Sequence, residues 1–245
     1  MKHWQQQDAY DYTNTLSAPR WAWEFLRRNP EYQYDWKNFN QRWQALEQDY
    51  GKAPHRDFSR WKNDARAVVS QQESQLICAD DIGITCATED NKLLIECWMG
   101  AKWGFYKFPL NPNYRNPQIP KQLLWREHDI SLEKIAQENT NQAHIYSIPF
   151  DLRYNLKDQL DMARIQLAKV CRQQYKTQKI KLSIKDNVQY WTYQLRYADA
   201  IQAGTHTTEA LHYLQAETTI PLDKLPMALE KMWQGEYLDI LLLKS

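Results

Sequence analysis

Apolar and polar positions alternate along the chain in three regimes. In the first, Tyr32, Trp36, Phe39, Trp43, Leu46 and Tyr50 recur at alternating steps of four and three, which places them on one helical face. Asn29 precedes this stripe as a cap, Pro30 suits the first helical position, and Glu31 complements the positive helix end. Gly51 supplies the stop. The shorter helix "WAWEFLRR" lies ahead of it and ends at Asn29-Pro30, because a proline disfavours helical geometry in the residue before it. A third helical stretch is predicted from Phe58 to Val69.

The second regime covers residues 75–108, where "QLICA", "IGITCA", "KLLIECW" and "WGFYKF" are short, rich in β-branched and aromatic residues, and separated by polar breaks. That pattern predicts a small antiparallel β-meander. The prolines of 109–120 mark a loop, followed by a short helix at "SLEKIAQ" and a strand at "AHIYSIPF". In the third regime Leu156, Leu160, Ala163, Leu167 and Val170 again step by four and three. Helices over 188–203 and 205–214, and a last one from about 222, complete the chain. The expected class is α+β, mainly α. Its parts are an N-terminal helical segment (1–70), a small α+β domain with the meander (71–149) and a helical C-terminal domain (150–245).

Composition narrows the function. With 245 residues and a net charge of +1, the chain can build a real core but projects no bulk field toward nucleic acid. Any nucleic-acid contact must come from a local patch. Cys78, Cys86, Cys97 and Cys171 form no CxxC pair, which points to reduced thiols in a cytosolic protein. Neither a leader's apolar region nor a membrane-length apolar stretch occurs, so a soluble, cytoplasmic protein without membrane partners is expected.

Candidate chemistries can then be weighed. The aromatics of "WAWEFLRRNPEYQYDW", with Arg20, Arg27 and Arg28 beside them, could form a stacking platform for bases. Helical spacing favours a core instead, with Trp36 and Trp43 buried and Trp23, off the stripe, left for a partner surface. From Arg164 to Lys185 every charged residue is basic. Arg164, Lys169, Arg172 and Lys176 flank or oppose the leucine stripe, and Lys179 and Lys181 continue the run beyond the helix. Helix-dipole complementarity favours basic residues here, but the run outlasts the helix, which the dipole alone does not require, and phosphate contact is the functional reading of it.

His206, Glu209 and His212 stand three apart on a helix, a poorer spacing for zinc than four, so no metal site is expected. Asp81 and Glu96, with Lys102 and Lys107, only loosely match a carboxylate pair holding Mg²⁺. No GxSxG, P-loop or dinucleotide fingerprint occurs. The expectation is a non-enzyme without cofactor.

Several stretches resemble one family. They are "YDYTNTLSAPRWAWEFLRRNPEYQYDW" (10–36), "QLLWREHDISLEKIA" (122–136), "FDLRYNLKDQLDMARIQLA" (150–168), "LRYADAIQAGTHTTEALHYL" (195–214) and "GEYLDILL" (235–242). The chain is similar to proteobacterial regulators found around integrative and conjugative elements, which pair an N-terminal regulator segment with a C-terminal domain related to helix-turn-helix. The resemblance implies transcriptional control of a mobile element. It would place 205–214 as the first helix and about 222–234 as the recognition helix in the major groove.

That last helix carries Lys224 and Lys231 among Asp223, Glu230 and Glu236, where the family has several arginines; Gln215-Ala216 replaces an expected glycine. The leading reading is a DNA-binding regulator using the basic run with Lys224 and Lys231, its partner double-stranded DNA. The alternative is an antagonist that binds a partner regulator protein through Leu225, Met232 and Trp233.

Overall fold

The computed structural model describes residues 3–69, 93–106, 108–115, 125–126, 146, 148–178 and 183–243, with the backbone alone over 174–178. The chain divides into two compact units. The first joins Met1–His128 to Val188–Leu242, and the second joins Asp129–Asn187 to Leu243–Ser245. Thus the N-terminal helices and the last helices, assigned by sequence to different domains, share one unit.

The described helices are α1 (Ala18–Leu26), α2 (Pro30–Tyr50), α3 (Phe58–Trp61), α4 (Ile95–Lys102), α5 (Leu156–Gln178), α6 (Ile184–Gln202), α7 (Thr207–Gln215) and α8 (Leu225–Trp233). Short 3-10 stretches include Asp8–Thr15 and Glu236–Leu242. In the first unit, α1 is the centre. Every residue from Trp21 to Leu26 is buried, and the helix packs against α8 and the 236–242 stretch. A helix buried all round belongs to a core, not to a contact surface.

Trp21 stands 5.2 Å from the Trp191 ring. Trp23, expected at a partner surface, is fully buried; it meets Tyr32 edge-on, and its indole N–H donates to the Tyr114 carbonyl at 3.1 Å. The aromatic opening is therefore a packing device.

The capping signals of α2 take the predicted form. The Asn29 side chain accepts from the Glu31 amide at 2.9 Å, Pro30 is the first helical residue, and Gly51 adopts φ +84°, open to glycine at little steric cost. Along the stripe, Tyr32 and Leu46 are buried, whereas Trp36, Phe39, Trp43 and Tyr50 are only partly covered. Phe39, Trp43 and Tyr50 pack on a second cluster that includes Leu46, Trp61, Val69, Leu94 and Ile95. There the Arg56 guanidinium lies 3.8 Å from the Trp61 ring and 4.6 Å from that of Trp43, a double cation–π contact.

The meander expected within 75–108 is overturned where this region is described. "KLLIECW" runs into helix α4, and among the described residues the extended pairings are isolated bridges, Val68 with Leu94 and Phe105 with Trp125. No strand or sheet forms among them, so the described fold is helical rather than α+β. A short apolar run does not distinguish a buried strand from a buried helix. In α4 even Glu96 is buried beside Ile95, Cys97, Met99 and Gly100, so no polar face marks the helical period. "QLICA" and "IGITCA", with Cys78 and Cys86, and the expected helix at "SLEKIAQ" lie outside the described residues. After α4, Gly104 takes φ +78°, a backbone conformation that favours glycine, and lies against the Leu238 side chain, whose Cδ2 a Cβ there would approach to 2.7 Å.

Helices α6, α7 and α8 follow the predicted order. Leu195, Ala198, Ala210, Leu214, Leu225 and Leu229 are buried, and Arg196, itself buried, donates to the Trp4 carbonyl at 2.9 Å. Residues 216–224 join α7 to α8, a longer connection than the three- or four-residue turn of a helix-turn-helix.

In the second unit, Asn155 caps α5 by accepting from the Lys157 amide at 2.9 Å. The helical period of its stripe is as predicted, but Leu156, Leu160 and Leu167 are exposed and Ala163 alone of the five is buried.

Replacing Trp21 by Ala is expected to lower the unfolding free energy by about 3–5 kcal/mol. Trp36→Ala, at a half-covered position, should cost clearly less. Urea denaturation of the two variants checks the ranking, and equal losses would contradict this account of α1.

Candidate functional site

The predicted nucleic-acid contacts fall on two helices. Arg164, Lys169 and Arg172 are exposed on α5 in the second unit, a helix roughly 34 Å long at 1.5 Å per residue. Lys169 and Arg172 border a groove with Ile165, Ala168 and Gln173. Lys176 lies on the same helix, while Lys179 and Lys181 fall outside the described residues. Lys224 and Lys231 are exposed at the start and in the last turn of α8, in the first unit, with exposed Asp223 and Glu230 beside them. Of the apolar residues proposed for a partner, Leu225 is fully buried and belongs to the core; Met232 and Trp233 are partly covered.

The weaker candidates disperse. Glu96 is buried in α4, and Lys102 pairs with Glu31 and Asp35 at 2.9 and 2.7 Å; Asp81 and Lys107 lie outside the described residues. The His206 ring nitrogen Nδ1 meets the Thr208 hydroxyl at 2.9 Å. Among the described residues no three His, Cys, Asp or Glu side chains gather as a metal site would require.

A charged cluster that the sequence reading did not single out lies inside the first unit. Arg28 is buried and grips Asp199 of α6 with two bonds, Nε to Oδ1 at 2.6 Å and Nη2 to Oδ2 at 3.0 Å. Its Nη1 donates to the Glu24 carbonyl at 2.9 Å and also to the Glu24 carboxylate. Glu24 Oε2 further accepts from Arg27 Nη2 at 2.7 Å and from the Tyr12 hydroxyl at 2.8 Å. Tyr10 donates its hydroxyl to Asp199. The fork of a guanidinium suits such bidentate pairing, which lysine does not reproduce. The Glu24–Arg27 and Glu24–Arg28 spacings of three and four were legible signals on one helix end. Asp199, 171 positions from Arg28, carried no such signal.

Burial pushes the Glu24 carboxyl upward, but Arg28 and Arg27 more than offset this and hold it down at about 2. Burial likewise opposes the charge of Asp199, and Arg28 brings it below the ordinary range. The Tyr10 phenol is driven far up by burial and by Asp199. Glu24 and Asp199 border a cavity of about 550 Å³, lined also by Tyr12, Arg27, Arg28 and Arg115.

The comparisons bear on this half of the protein. Residues 3–62 match the family model of a proteobacterial transcriptional regulator-like domain, and this similarity supports a regulatory role. The match holds Tyr12, Glu24, Arg27 and Arg28 and leaves Arg115 and Asp199 outside it. No significant match was found among curated proteins or among solved structures. No helix among the described residues is long and apolar enough to cross a membrane.

Glu24 ionises lower in the folded chain than the ordinary glutamate value of about 4.3. Its contribution to stability is therefore complete above about pH 5 and is lost as pH falls toward 2. The depressed Asp199 acts in the same direction. Urea midpoints should fall between pH 6 and pH 2.5, and Glu24→Gln should show a lower midpoint at pH 6 with a shallower fall. A variant that loses stability as steeply as the wild type would contradict the assignment.

Proposed function

We propose that the protein is a transcriptional regulator that binds double-stranded DNA and is linked to a mobile genetic element. The regulator-like match over 3–62 supports the regulatory part. The stretches similar to regulators of integrative and conjugative elements support the mobile-element link. The observation that carries DNA binding is the exposed, acid-free basic run of α5. Arg164, Lys169 and Arg172 stand in solvent on one long helix, each able to neutralise a phosphate and release its counterions. Lys224 and Lys231 provide a further, weaker contact, since Asp223, Glu230 and Glu236 repel phosphate around them. In this reading the protein is cytoplasmic, performs no bond-making chemistry and needs no cofactor.

A second reading, an antagonist that binds a partner regulator without touching DNA, is favoured by one observation. Leu156, Leu160, Met162 and Ile165 of α5 are each more than half exposed, at 57%, 52%, 66% and 65%. Such apolar exposure on one helix is unusual for a solvent-facing surface.

Fluorescence anisotropy with labelled duplex DNA, titrated across salt, separates the two. The DNA reading expects a steep salt slope that falls by about 3 when Arg164, Lys169 and Arg172 are all changed to Glu, at about 0.9 per phosphate contact. Affinity should drop alike for every duplex sequence. Wild-type protein that fails to bind at low salt would select the antagonist, and an unchanged slope in the variant would remove α5 as the contact.

A further inference from the structure

Beyond DNA contact, we propose that the cavity beside α1 and α6 is a binding site for a small carboxylate. Its volume of about 550 Å³ is that of a pocket for a small organic molecule. The charges around it do not cancel. Arg27, Arg28 and Arg115 stand against Glu24 and Asp199, which leaves one positive charge over.

The internal pairing shows where that excess resides. Arg28 is committed to both carboxylates, and Glu24 is already served by Arg28 and by the Tyr12 hydroxyl. One positive charge does not balance two carboxylates, so Arg27 completes the buried balance and the excess is that of Arg115 on the cavity wall. Arg27 is only 8% exposed. It donates Nη2 to Glu24, its Nε is buried without a partner, and its Nη1 makes no hydrogen bond among the described residues. Arg115, exposed on the cavity wall, has no ion-pair partner among them. Two guanidiniums therefore keep donor capacity at one cavity, one deep and one at the surface.

A planar carboxylate matches guanidinium donors in geometry and matches the single uncompensated charge in number. A phosphate dianion would exceed that charge and face repulsion from Glu24 and Asp199.

The test is isothermal titration calorimetry of the full chain, without DNA, using benzoate and pyruvate as probes and inorganic phosphate as comparator. Saturable binding of at least one carboxylate is expected. Arg115→Glu should weaken it at least tenfold with the unfolding temperature unchanged, since this side chain is exposed. Arg27→Gln, which keeps a donor for Glu24, should weaken it likewise; if that variant fails to fold, Arg115→Glu decides alone. Absence of saturable carboxylate binding, binding of phosphate in preference, or undiminished affinity in Arg115→Glu would each overturn the proposal. Because no DNA is present, the outcome is independent of whether α5 contacts phosphates.

Discussion

A buried guanidinium needs carboxylates around it, and this requirement organises the first unit. Arg28, two residues past the end of α1, is enclosed by protein and held by Glu24 of that helix and Asp199 of α6. Removing either acid would leave charge stranded in a medium that solvates it poorly. Burial works against the ionised forms of Glu24 and Asp199, and the arginines overcome it. The same clamp fixes the tyrosines of the 8–15 stretch, which donate to both acids. Around this polar centre, the aromatic rings of α1 and α6 pack closely, with Trp21 and Phe25 both against Trp191. Apolar burial provides the bulk of cohesion, while the ion cluster fixes which helix faces meet.

Capping signals in the sequence proved sound, the short apolar run at "KLLIECW" misled, and long-range pairings were not legible. Asn29, Pro30 and Gly51 marked the ends of α2, because caps are decided by a few neighbouring atoms. Periodicity found the helix at 156–178 but not its burial, since a stripe reveals a face without revealing what covers it. Trp23 misled for a related reason: α1 is covered on every side, so leaving the apolar stripe does not mean reaching solvent. Leu225, at the start of α8, is likewise buried, although α8 keeps an exposed face. The strand expected at "KLLIECW" failed where a buried Glu96 hid the helical period.

The candidate site divides in the same way. The basic run was readable as charge without acid. Among its described members, Arg164, Lys169 and Arg172 are exposed. The cluster around Arg28 was half readable, through the helical spacing of Glu24, Arg27 and Arg28. Its other half depends on Asp199, whose approach is a product of the tertiary fold.

The interlocking of the two ends of the first unit also bears on the order of its synthesis. Trp4 receives its bond from Arg196, Asn29 donates to the Trp233 carbonyl, and Gly104 lies against Leu238. An emerging chain would expose its early tryptophans and its unpaired arginines until α6 and the 236–242 stretch had been made. The amino-terminal helices therefore stay incomplete, with apolar surface uncovered, until those distant segments have been made. Topology thus couples the biogenesis of the regulator-like segment to the arrival of its distant carboxy-terminal neighbours.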